Sequence, residues 1–145
     1  MATAEQLLML KGGDLVSLGP EATVSDAVAL MHARHIGSIL VVRAGEIAGI
    51  FTERDLLERV VACEQDPHQV RLAEVMTSPV ACAAPHTSLD EIRLLMRERF
   101  LRHIPVIDGA QPVGMISMGD LNRAEALVEE RSIVWFGVAS VVVAG

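Results

Sequence analysis

A chain of 145 residues has room for one compact domain or two small interlocked halves, and with 51% apolar residues but only 3% aromatic ones its core must be aliphatic. A net charge of −7, with the basic residues scattered rather than striped, argues against a nucleic-acid partner, because phosphate backbones are bound by clustered Lys and Arg. The opening "MATAEQLLML" has neither a basic start nor a long apolar stretch, and no apolar run reaches membrane-spanning length. The expectation is a cytoplasmic protein with no membrane partner, and the two cysteines, Cys63 and Cys82, in no paired motif, fit free thiols in a reducing compartment.

In chain order, Thr23-Val24-Ser25-Asp26 is a polar start to a segment with apolar residues at Ala27, Leu30 and Met31, the spacing of a helix. "SILVV" and "IAGIF" are short β-rich runs separated by a turn holding Ala44-Gly45, which predicts a hairpin. A hydroxyl, Thr52, and a carboxylate, Asp55, then lead into "LLERVV", a second helix. After a divergent connector near "CEQDPHQV" the pattern returns: Ser88-Leu89-Asp90-Glu91 before Ile92, Leu95 and Met96, then "HIPVI", a turn with Asp108-Gly109, "PVGMI", Ser117, Asp120 and "LNRAEALV". Pro105 predicts a strand start or a sheet edge.

The second run repeats the first without a gap at an offset of 65 residues, Asp55 to Asp120. Pro20 matches Pro85, Leu30-Met31 matches Leu95-Met96, Arg34 matches Arg99, Ile39 matches Ile104, Val41 matches Val106, Gly49 matches Gly114, and Asp55-Leu56 matches Asp120-Leu121. This is a tandem duplication. Each copy reads strand, helix, strand, strand, helix. The expected fold is α+β, with two β-α-β-β-α repeats packed with pseudo-twofold symmetry, over residues 1–70 and 71–130, and an apolar tail over 131–145. That tail contains the sole tryptophan, Trp135, for which burial is expected because a large apolar side chain is costly to leave in water.

A hydroxyl three residues before a carboxylate at a strand-to-helix junction has two uses. It caps the helix, the hydroxyl and the acid satisfying the first amides reciprocally. It also sets acceptor oxygens beside a pair of ribose hydroxyls while the helix start offers amides to a phosphate. Its occurrence in both copies, each time after Gly and an apolar pair, favours ligand binding through Thr52, Asp55, Ser117 and Asp120.

With "GIFTERDLL", "GMISMGDL" and "RHIPVID", the sequence resembles the cystathionine-β-synthase (CBS) domain family, and specifically a stand-alone tandem pair, over nearly the whole of Lys11 to Leu127. The resemblance implies two clefts that bind adenosine nucleotides such as AMP, ATP or NAD as regulatory ligands, with no obligatory cofactor and no enzymatic activity. It also implies a homodimer and a regulated protein not encoded in this chain. For the Ser117/Asp120 cleft it points to Val16, Ile36, Gly37 and Met115 around the adenine, and for the Thr52/Asp55 cleft to Ile50, Ala81, Leu101 and Arg102. Arg54, Arg102 and His103 are the cations it offers to phosphate. The copies differ here: Met118-Gly119 replaces Glu53-Arg54, and Arg102-His103 replaces Gly37-Ser38, so the clefts should differ in phosphate handling. The alternative is a metal-binding or purely structural dimerisation module with degenerate clefts, for which Cys63, His68, Cys82 and His86 supply the only suggestive spacing.

Overall fold

The computed structural model describes residues 2–12 and 15–125; the tail with Trp135 lies outside the described residues. Helix α1 (Ala4–Lys11) leads to β1 (Ser17–Leu18), α2 (Val24–Arg34) and the hairpin β2 (Ser38–Arg43) and β3 (Glu46–Thr52). A short helix α3 (Glu53–Asp55) runs into a π-helical turn, Leu56–Val61, and α4 (Leu72–Val75) lies in the connector. The second copy comprises α5 (Leu89–Arg99), β4 (His103–Asp108), β5 (Gln111–Ser117) and a helix α6 over 118–125.

The sequence signals account for these boundaries. Thr23 and Ser88 cap α2 and α5 in reciprocal boxes with Asp26 and Glu91, at donor–acceptor distances of 3.0–3.1 Å. Both helices end on a left-handed residue, His35 (φ 53°) and Phe100 (φ 55°), which share one position of the repeat. The β2–β3 turn has positive φ at both Ala44 and Gly45, as a two-residue hairpin with right-handed strand twist requires. Each hairpin carries a register shift at the same place, between Val41 and Val42 and between Val106 and Ile107.

The first strand of the second copy differs from expectation. In the first copy β1 pairs in parallel with β2, and the amide of Leu40 donates to Val16 O at 3.3 Å. Pro105 occupies the place of Leu40 and has no N–H to offer Ala81, so the pairing contracts to a single bridge, Ala83 to Val106. The proline sits third in its strand with its nitrogen on the side away from β5, where no hairpin hydrogen bond is lost.

Among the described residues there are two hydrophobic cores, and each is completed by a segment from outside its own repeat. Val24, Ala27, Met31, Ile39, Val41, Phe51 and Val60 pack with Val70, Leu72 and Val75 of the connector. Ile92, Met96, Ile104, Val106, Ile116 and Leu121 pack with Ala4 and Leu7 of α1. The hydrogen bonds repeat the same joint: Leu72 N donates to Ala22 O and Ala4 N to Thr87 O, both at 2.8 Å. Thus α1, which precedes the first copy in sequence, closes the second, and the two halves meet along β3 and β5.

Candidate functional site

The cleft between the copies is built where β5 hands over to α6. Ser117 ends β5, its hydroxyl accepts from the amide of Asp120 at 3.1 Å, and Asp120 Oδ2 accepts from the amide of Ser117 at 2.8 Å. This is the capping box, but the carboxylate does more. Lys11 Nζ, at the end of α1, donates to Asp120 Oδ2 and to Met115 O, both at 2.7 Å, and Arg123 Nη2 donates to Asp120 Oδ1. Burial alone would raise the Asp120 carboxyl pKa; the Lys11 ammonium and the Ser117 amide outweigh it and hold the group below the ordinary carboxylate range.

A cavity of about 340 Å³ opens beside this carboxylate and takes its walls from both copies. Val16, Ile36 and Gly37 contribute from the first copy, and His103, Met115, Ser117 and Asp120 from the second, with Lys11 and Arg123 at the carboxylate. Gly37 lies close to two side-chain ends: a Cβ there would lie 2.8 Å from Glu53 Oε1 and 3.2 Å from His103 Nε2. Burial lowers the pKa of the His103 imidazole, with the Glu53 carboxylate opposing that shift, so the ring favours its neutral form. An apolar wall, an ionised acceptor and two cations make a site for a ligand with a flat apolar part, hydroxyl donors and an anionic end.

The equivalent place in the first copy is arranged differently. Thr52 and Asp55 form the same box, at 3.0 and 3.3 Å, but Asp55 Oδ1 accepts from the hydroxyl of Thr77 at 2.9 Å and lies 3.6 Å from Arg59 Nε. Ile50 is buried and pairs with Thr77 across a two-way bridge. Arg54 donates to Phe100 O at 2.8 Å rather than to the Asp55 carboxylate. Ala81 and Leu101 are half-buried, Leu101 against the second core, while Arg102 is exposed and its carbonyl accepts from Met118 N at 2.8 Å. Of the three candidate cations, only His103 lines the Asp120 cavity.

Lys11 and Arg123 are functional candidates that sequence reasoning passed over. Arg123 had a visible signal, its place one turn after Asp120 on the same helix. Lys11 had none, being 109 residues distant in sequence. As for a metal, Cys63 is exposed and bonds Glu58 O, Cys82 is half-buried, and among the described residues no group of three or more His, Cys, Asp or Glu is placed to hold an ion.

A duplicated α+β unit whose two copies share a cavity at the second strand-to-helix junction defines a tandem-repeat module. The profile of the CBS domain matches residues 4–62 and 72–127, and the chain belongs to the CBS domain family. It is 32% identical over 107 residues to the CBS domain-containing protein YhcV of Bacillus subtilis, covering 74% of this chain and 76% of that one. Among solved structures, a CBS-domain protein of Burkholderia ambifaria is 39% identical with a TM-score of 0.81, over 85% of this chain and 93% of that one. A hexameric CBS-CP12 protein from bloom-forming cyanobacteria is 28% identical with a TM-score of 0.78, over 90% and 75% of the respective chains. Among the described residues no helix is long and apolar enough to cross a membrane.

Proposed function

We propose that the chain is a non-enzymatic regulatory module that binds an adenosine nucleotide of the AMP, ATP or NAD type in the Asp120 cleft. The observation that carries this reading is the cavity itself, which sets Ser117 and Asp120 against an apolar wall of Val16, Ile36 and Met115 drawn from both copies. Adenine lies between the apolar residues, the ribose hydroxyls donate to the ionised Asp120, and the start of α6 faces the phosphate. Among the described residues of the cleft no acid–base pair is set up, since Asp120 is held ionised by cations and His103 favours its neutral form. The output is a change in contact with a second protein, and the module works as a homodimer in the cytoplasm. Support for self-association comes from exposed apolar residues, Leu57 (63%) and Val61 (61%) on the π-helical turn, and from the hexameric assembly of the cyanobacterial relative.

Calorimetric titration with AMP, ATP, NAD and S-adenosylmethionine tests the reading. A saturable heat with an adenosine nucleotide, diminished in Ser117→Ala, is the expected result; no binding of any of them overturns it.

A further inference from the structure

Building on that reading, we infer that each chain takes one phosphate-bearing ligand, held in the Asp120 cleft by Lys11 and Arg123, which exchange the Asp120 carboxylate for the phosphate. The two cations sit on one carboxylate at the edge of the cavity, and the Arg123 side chain is 72% exposed, so it can turn without breaking any packing. When phosphate oxygens accept from Lys11 and Arg123, the two Asp120 oxygens become available to ribose hydroxyls, while the Ser117 amide stays bound to the carboxylate. Neither charge is left without a counterpart, which is the condition for moving ions in a half-buried site.

The first copy has the same box, but only Arg59, at 3.6 Å and from its own helix, stands near the carboxylate. The repeat places Glu58 at the position of Arg123. Met76 takes the place of Leu8 rather than of Lys11: it packs on Gly49 as Leu8 packs on Gly114, an added Cβ meeting the side chain at 2.5 and 2.6 Å, and its carbonyl accepts from Arg59 at 2.8 Å. Asp55 is engaged by the Thr52 amide and hydroxyl and by the Thr77 hydroxyl, contacts internal to the fold that a ligand would have to break without offering the cations another anion.

The test is to titrate adenosine, AMP and pyrophosphate into the full chain and into Lys11→Met and Arg123→Ala, following heats and the amide resonances of Ser117 and Gly119. Hydrogen bonds to a charged group imply that AMP binds roughly 10–100-fold tighter than adenosine. One site per chain is expected, with that preference reduced in each variant and the thermal melts retained. Adenosine binding as tightly as AMP, two equal sites, or an undiminished preference in both variants would overturn the inference and leave the nucleotide reading standing. If no adenosine compound binds but pyrophosphate moves both amides in the unmodified chain and not in Lys11→Met, the anion site stands and the nucleoside reading falls. No response to any phosphate overturns both.

Discussion

Asp55 and Asp120 stand at the same place in two copies of one unit, begin their helices with the same box, and are equally buried, at 5% exposure. Their remaining partners separate them. Asp55 is held by a hydroxyl from the connector, with Arg59 from its own helix nearby, whereas Asp120 is held by two cations at the rim of a cavity. The pair teaches that a duplicated motif keeps its structural duty through capping alone, while its remaining partners come from outside the motif. On the proposed reading, one copy is a pin and the other a site.

The comparison breaks most completely if the copies are separated. Residues 1–66 would lack Val70, Leu72 and Val75, which complete the first core, and would carry Ala4 and Leu7, whose partners lie in the second. This fragment should be unfolded or self-associating, and a well-dispersed NMR spectrum from a monomer would refute the interlacing. Within the full chain, Leu72 is fully buried where the matching joint of the N-terminal segment carries Ala4. Leu72→Ala should therefore cost ~2–5 kcal/mol in denaturant unfolding and bring the two joints to parity; a loss below 1 kcal/mol would mean that the connector does not hold the first core.

The carboxylates sharpen the comparison at smaller scale. Asp120→Ala should weaken nucleotide binding by ~1.5–3 kcal/mol. Asp55→Ala should leave that affinity unchanged while lowering stability by ~0.5–2 kcal/mol through the lost cap. Equal effects on binding would make the copies equivalent sites. The mildest effect is on acidification. His103 has its pKa below the ordinary 6.5 because it is buried, so the unfolded chain takes up its proton first. Stability is then complete above about pH 6.5, declines as pH falls toward the folded value, and is lost again at lower pH as Asp120, also depressed, is protonated. His103→Gln should remove the first decline and keep the second; an unchanged profile in urea melts across this range would exclude His103 as its source.

Much of this fold was legible in the chain. The 65-residue offset, the polar helix starts and the Gly-containing turns are local signals, and local signals survive whatever the chain later packs against. The four residues Val16, Ile36, Gly37 and Met115 gather at the Asp120 cavity; they were placed by resemblance, since an apolar residue in isolation gives no hint of what it lines. Three features were out of reach for physical reasons. Lys11 meets Asp120 only because α1 crosses to the other copy, a pairing that no periodicity records. The π-helical turn at Leu56–Val61 reads as an ordinary helix in sequence, yet there Ala62 N bonds Leu57 O, five residues back. The shortened first strand of the second copy follows from Pro105 once its partner is known to be Ala81, and that partner is set by the parallel pairing.

The crossing of α1 also fixes an order of events during synthesis. Leu7 is made more than a hundred residues before Ile116 and Leu121, the last members of its core among the described residues. At ~5–20 residues per second the helix waits roughly 5–20 seconds for them. Meanwhile the first core can close as soon as Val75 emerges, so folding starts with the copy that carries Asp55 and ends with the one that carries Asp120. Through that interval α1 presents Leu7 together with Met9 and Leu10, which stay 79% and 83% exposed even in the finished fold, as an apolar helix without its cover. The nascent chain thus carries an uncovered apolar helix until its second copy is made, and the cleft that Lys11 completes forms only after the first core.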